Sequence, residues 1–271
     1  MTTPQPVLFL SHGSPMTALG GDALSRSWAQ LSGRLSRPAA ILMVSAHWTT
    51  RLPIVSGSAA PETIHDFGGF PPELYRLRYP APGAPELAQH VKQRLSDAGI
   101  AAGIDASRGL DHGAWVPLRV LFPDADIPVM QLSVQPERCA RHHFALGAAL
   151  APLADENILI VGSGHLTHNL MDYLRPVGER PAPDSQAFRD WVHARLTGNP
   201  DEAAEALFDW QQHAPGAAFS HPTVEHFLPL FVALGAAGKA FRTEWLGGGW
   251  IEKSLAADNY LFTRAPKFPA T

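Results

Sequence analysis

Ala40-Ile41-Leu42-Met43-Val44-Ser45-Ala46-His47-Trp48 reads as a strand that is buried on both faces and ends in an imidazole. The run shows no apolar/polar alternation, which fits a strand of a sheet covered on both sides. The same pattern stands upstream, where Pro6-Val7-Leu8-Phe9-Leu10 leads into Ser11-His12-Gly13-Ser14. Between the two, residues 22–35 place Leu24, Trp28, Leu31 and Leu35 at spacings of four, three and four, one apolar face of a helix. Strand, helix and strand in this order form a βαβ unit, which predicts parallel strands.

The alternation continues along the chain. A helix is expected over 85–98, a short strand over 100–104, a strand over 127–134 and a helix over 141–153. Asn157-Ile158-Leu159-Ile160-Val161-Gly162 is a further strand opening into Ser163-Gly164-His165, and helices are expected over 184–197 and 201–213. The predicted fold is α/β, a single catalytic domain over residues 1–271 with a central, largely parallel or mixed sheet flanked by helices. Ligands in open α/β sheets gather at the carboxyl ends of strands, where His12, His47, His165 and His168 fall, so the active site is expected there. Residues 220–235 read as one capped helix in which Pro229 kinks the chain beside Glu225-His226.

Composition narrows the function. The chain has 271 residues, 45% hydrophobic and 17% charged, enough to bury a large core. Its net charge of -4 and the absence of a basic run disfavour nucleic acid as a partner. No apolar run approaches the roughly 18 residues of a membrane span, and no basic leader precedes residues 6–10, so no membrane association and a cytoplasmic location are expected. The lone Cys139 excludes an internal disulfide and a multi-thiolate zinc site, leaving imidazole and carboxylate as metal ligands. The oligomeric state is not legible.

Thirteen histidines make imidazole the most informative side chain, because it is both the commonest transition-metal ligand and the usual proton shuttle near neutral pH. Those at strand ends point to a metal site. His165 reads as a pocket residue behind the ligands, His221 as a cap or pocket rim, and His90, His142, His143, His193 and His213 as solvated helix positions. Gly162-Ser163-Gly164 is not a nucleophile elbow, since position 161 is valine and position 165 histidine.

Seven ordered blocks carry a resemblance. Residues 9–16 (FLSHGSPM), 44–48 (VSAHW), 63–71 (TIHDFGGFP), 79–83 (YPAPG), 110–115 (LDHGAW), 168–170 (HNL) and 222–230 (PTVEHFLPL) together resemble the 4,5-DOPA extradiol dioxygenase family. That family belongs to the class III extradiol ring-cleavage dioxygenases, alongside the catalytic subunit of protocatechuate 4,5-dioxygenase. The resemblance runs from residue 7 to about residue 262.

The resemblance implies an Fe(II)-dependent oxidoreductase that opens the ring of a DOPA-like catechol with O2. His12 and His47 match two metal ligands and His226 a third, with Glu225 the alternative because the protocatechuate branch uses a glutamate. His168 matches the ring-cleavage base, which approaches as a fourth ligand when zinc occupies the site, and His112 matches a pocket histidine that handles protons. His65, Phe67, Phe70 and Asp111 are expected to bind substrate, with Tyr75 and Trp115 as further lining candidates. Residues 178–183 and 247–249 are places where specificity could differ among relatives. Ferrous iron with three protein ligands leaves positions for both catechol oxygens and for O2, and a neutral His168 can accept a proton near pH 7. Two readings compete: a zinc-dependent hydrolase on the same scaffold, since Zn(II) would also bind, and a non-enzymatic metal-binding protein. Zinc has no accessible redox change and cannot support ring cleavage with O2.

Overall fold

The computed structural model describes residues 4–174, 180–238 and 240–264. The strands are β1 (Val7–Ser11), β2 (Ala40–Thr49), β3 (Ile54–Ser56), β4 (Gly103–Asp105), β5 (Val129–Val134), β6 (Ile158–Gly164), β7 (Phe241–Trp245), β8 (Trp250–Ile251), β9 (Leu255–Ala256) and β10 (Tyr260–Arg264). The helices are α1 (Ala23–Ser32), α2 (Pro85–Asp97), α3 (His112–Leu121), α4 (Ala140–Leu150), α5 (Leu170–Tyr173), α6 (Pro183–Leu196), α7 (Pro200–Phe208), α8 (Trp210–His213), α9 (Ala217–Ser220) and α10 (Leu228–Ala237). Residues 178 and 179 of the segment 178–183 lie outside the described residues.

Eight strands form one mixed sheet in the order β4-β3-β5-β2-β6-β1-β10-β7. Its centre, β5-β2-β6-β1, is parallel, whereas β10 and β7 add antiparallel at one edge and β3 runs antiparallel to β5. The expected α/β fold is observed, with one topological addition. β6 lies between β1 and β2 and is parallel to both, so the two strands of the βαβ unit are parallel without being neighbours.

β1, β2 and β6 are apolar on both faces over most of their length because each face has its own core. Val7 and Phe9 of β1, with Leu42 and Val44 of β2, pack in the layer that holds α2, α4, α6 and α10. Leu8 and Leu10, with Ile41 and Met43, pack in the other layer against α1 and α3. A side-chain period of two sends neighbours in these strands to opposite layers, so no position is left for a polar residue. In β1, β2 and β6 polar groups begin only towards the carboxyl ends, at Ser11-His12, Ser45 and Ser163, whereas β5 carries buried, hydrogen-bonded Gln131 and Ser133.

The segment before α10 corrects the sequence reading. Residues 220–235 are not one kinked helix: residues 221–227 form turns and α10 begins at Leu228. Pro229 thus sits in the first helical turn, where its missing N–H costs no intrahelical bond and its fixed φ suits the helix. All ten residues of α10 are buried. The turns before it fold back on β6, so that His165 N donates to the His226 carbonyl at 2.9 Å. Gly164 permits this approach, because a Cβ there would run into the His226 carbonyl oxygen.

Candidate metal centre

Four chain segments bring imidazoles to one end of the sheet. His12 directly follows β1, His47 lies near the end of β2, His165 and His168 follow β6, and His226 sits in the turns before α10. One ring nitrogen from each of His12, His47 and His226 lies within 4.8 Å of the other two. His47 Nε2 is 3.0 Å from His12 Nε2 and 3.3 Å from His226 Nε2. Bare ring nitrogens this close repel unless a proton or a cation lies between them, so the convergence suits either a shared proton or a bound cation.

The outward nitrogens of the three rings face acceptors. His12 Nδ1 is 3.1 Å from Ser163 Oγ and His226 Nδ1 is 3.1 Å from Glu225 Oε1. His47 Nδ1 is 3.6 Å from Asp66 Oδ2. A proton held on Nδ1 leaves the Nε2 lone pair for a metal, which is the usual arrangement for ligating histidine. Burial, reinforced by the neighbouring rings, holds His12 and His226 neutral with pKa values well below the ordinary range, and burial brings His47 down to about 4. Neutral imidazoles with directed lone pairs fit a divalent ion such as iron or zinc.

Glu225 is therefore behind the His226 ring rather than in the three-nitrogen cluster. Its Oε1 also accepts from Thr223 Oγ1 at 2.8 Å, which fixes the carboxylate.

His168 stacks on His226, with ring centroids 3.4 Å apart and planes 8° from parallel. Burial, then the positive charge that nearby histidines would carry, pushes it down to about 2, so it is a neutral imidazole. His165 is buried 4.8 Å from the His12 ring, its Nε2 3.3 Å from the Gly13 carbonyl oxygen, and burial lowers it to about 3.

On the opposite side, α3 delivers His112. Asp111 caps this helix, accepting from Ala114 N at 3.2 Å, and His112 opens the first turn with its ring 3.9 Å from that of His47. Asp66 connects the two rings: its Oδ1 accepts from His112 N at 2.9 Å and lies 3.0 Å from His112 Nδ1, off the axis of a good hydrogen bond. Burial raises the Asp66 carboxyl, but the ring and backbone N–H of His112 outweigh it and bring it down to about 2. Asp66 is anionic at the site mouth.

The remaining expectations divide. Phe67 makes edge contacts with His112, His65 and Phe70, and Tyr75 and Trp115 complete an aromatic wall around it. His65 is tied into that wall by its Nε2, 3.1 Å from the Leu77 carbonyl oxygen. Asp111 does not face the pocket: it is fully buried, with Oδ1 accepting from Ser45 Oγ at 2.6 Å and Oδ2 from Gln131 Nε2 at 2.7 Å and Arg108 at 2.8 Å. As a helix cap and buried anchor it has no oxygen left for substrate. His221 is buried against Phe188, Trp210 and Phe227, its Nε2 2.7 Å from the Leu166 carbonyl oxygen. His143 and His193 are not solvated either: His143 accepts from Gln135 N at 3.0 Å and His193 Nδ1 meets Tyr260 Oη at 2.9 Å. A separate cavity lined by Met16, Leu24, Tyr173, Trp250 and Ile251 lies beside the Gly13 turn and includes none of these rings.

Sequence reasoning gave no role to Ser163, to Asp66 or to Glu225 as a partner of His226. Ser163 alone carried a signal, as a hydroxyl between two glycines at a strand end.

Fold and site define an α/β protein with a histidine cluster able to hold a metal ion at the carboxyl ends of its strands. Residues 6–263 match the family model of the catalytic LigB subunit of aromatic ring-opening dioxygenase. The chain belongs to this family, and is an extradiol ring-cleavage dioxygenase, an oxidoreductase. It is 42% identical over 260 residues to the 4,5-DOPA dioxygenase extradiol of Beta vulgaris, covering 94% of this chain and 95% of that protein. Identity to the protein of the same name from Escherichia coli K12 is 44% over 235 residues, covering 87% and 86%. A crystal structure of an uncharacterized protein from Escherichia coli K12 superposes with a TM-score of 0.81 at 36% identity, covering 95% of this chain and 99% of that one. Among the described residues no helix is long and apolar enough to cross a membrane.

Proposed function

We propose that the chain is a ferrous-dependent enzyme that opens a monocyclic, DOPA-like catechol beside its diol, with His12, His47 and His226 holding the metal. The observation that carries this is the meeting of three Nε2 atoms, with Nδ1 of His12, His47 and His226 turned towards Ser163, Asp66 and Glu225 respectively. Bound Fe(II) supplies coordination sites for the diol and O2 and the redox change that zinc lacks.

The protein groups divide the remaining work by position. His168, neutral and stacked on His226, is placed to take a proton from a catechol hydroxyl. His112, on the other side beside anionic Asp66, is placed to hold or return a proton at a substrate or dioxygen-derived oxygen while the ring carbon–carbon bond beside the diol breaks. Phe67 and Phe70, with His65 behind them, offer an aromatic wall for a planar ring. The names of the two relatives support DOPA as the first substrate to try. A reducing cytoplasm would keep the iron ferrous, and we place the protein there.

The test is oxygen uptake by metal-stripped protein reloaded anaerobically with Fe(II) or Zn(II), on catechols including DOPA. Uptake with iron alone, matched by a new yellow absorbance, is the expected result. Stoichiometric iron without uptake on any catechol would overturn the proposal in favour of a zinc hydrolase or a metal-binding protein.

A further inference from the structure

The hydroxyl of Ser163 is fully buried and has two partners, the Gly113 carbonyl oxygen at 2.5 Å and His12 Nδ1 at 3.1 Å. A carbonyl oxygen can only accept, so the single hydroxyl proton is committed to Gly113. Towards His12 the same oxygen can then only accept, which requires the imidazole proton to be on Nδ1.

The commitment to Gly113 has its own cause in the sequence. Gly113 lies in the first turn of α3, and its carbonyl would ordinarily accept from the backbone N–H four residues on. That residue is Pro117, inside the helix, which has no N–H to give. The Gly113 oxygen is left without a helical donor and takes the Ser163 proton instead. Gly113 itself has no room for a side chain, because a Cβ would collide with Ser45 Oγ and press on His47 Cδ2. The first turn of α3 thus lies close against β2, with its carbonyl within hydrogen-bond reach of the hydroxyl.

We propose that Ser163 is a positioning residue of the metal centre: with Pro117 freeing the Gly113 carbonyl, its hydroxyl fixes His12 as the Nδ1–H tautomer and leaves Nε2 bare for the ion. The proposal rests on His12 being a ligand, as argued above. It also links the His12 ring to the helix turn that presents His112, whose Gly113 lies fifty residues before Ser163 in sequence.

Two measurements on purified protein test it. In metal-free protein labelled with 15N-histidine, long-range proton–nitrogen correlations at pH 8 should show His12, assigned by its loss in H12A, as the Nδ1–H form. In S163A that signal should move to the Nε2–H form or to a mixture, with the near-ultraviolet circular dichroism unchanged. Competition with a chromophoric chelator should show S163A binding Zn(II) about 10–100-fold more weakly, the usual effect of losing a partner behind a ligand. S163C, with a weaker hydrogen-bonding group at the same point, should fall between. An unchanged tautomer in S163A, or unchanged zinc affinity while H12A loses zinc, would overturn the proposal alone. Wild-type zinc affinity in H12A would overturn the ligand reading, and this proposal with it.

Discussion

Glu225 Oε1 lies 3.1 Å from His226 Nδ1, while the other ring nitrogen of His226 faces His47 Nε2 at 3.3 Å. A glutamate and a histidine adjacent in sequence thus meet at one ring nitrogen, while the other ring nitrogen turns to His12 and His47, the arrangement behind the proposal that His226 is the ligand. His226→Ala should abolish stoichiometric metal binding, whereas Glu225→Ala should weaken it about 10–100-fold and Glu225→Gln less, since the amide oxygen still accepts from Nδ1. Metal content after dialysis, read by atomic emission, separates the three. Full loss in Glu225→Ala with retention in His226→Ala would make the carboxylate the ligand.

The approach of β6 to the turns before α10 is set by glycine. Gly164→Ala places a methyl against the His226 carbonyl oxygen, and backbone on both sides resists the shift. We expect a loss of ~1–3 kcal/mol in stability, as for other overpacked sites. Displacement of His226 should weaken zinc binding in the same variant. Urea unfolding of the metal-free protein and zinc titration check the two parts separately.

His168 should divide binding from turnover. His168→Ala removes a neutral imidazole stacked on His226 but none of the three converging nitrogens. Iron content should stay near one per chain while turnover falls about 10²–10⁴-fold, the range for a lost general base. Turnover near that of the unaltered protein would remove His168 from the proton path.

His143 makes stability pH-dependent at a distance from the site. Burial brings it down to about 4 from 6.5, against the opposing hydrogen bond to the Cys139 carbonyl, and its Nε2 must stay bare to accept from Gln135 N. Between pH 6.5 and 4 the unfolded chain therefore binds a proton that the folded chain does not. The stabilising contribution is complete above pH 6.5 and is lost as pH falls towards 4. Between pH 7 and pH 5 this amounts to ~2 kcal/mol. In His143→Gln, which has no titrating ring, the drop in unfolding free energy over that interval should be smaller by about that amount, measured by urea titration at both pH values.

What the sequence revealed follows from where each relationship is local. β1 and β2 were legible because both faces of the central sheet are covered, so 7–10 and 40–44 are continuously apolar. His12 and His47 followed from their place at the ends of those strands. Residues 220–235 were misread because Ser220 and Thr223 look like helix caps, yet the chain spends 221–227 on turns that bring His226 against Gly164. His143 and His193 have polar neighbours in sequence but are covered by partners from elsewhere, Gln135 and Tyr260. Asp111 seemed a pocket residue beside His112, and only the fold shows Ser45, Arg108 and Gln131 enclosing it. Ser163 stood out only as a hydroxyl between two glycines at a strand end, and its partner could not be read, since that is a carbonyl fifty residues upstream that Pro117 leaves free.

Under the proposed function the iron-loaded protein adds both atoms of O2 to a catechol and opens a ring bond next to the diol. The most direct test is the structure of the product formed from DOPA by the Fe(II)-loaded protein under 18O2, by mass spectrometry and NMR, with oxygen consumption recorded in parallel. The expected result is one O2 consumed per DOPA, a ring-opened semialdehyde acid cleaved outside the two hydroxyls, and label in its new carboxylate. A dicarboxylate cleaved between the hydroxyls, or a product formed without oxygen consumption, would contradict it.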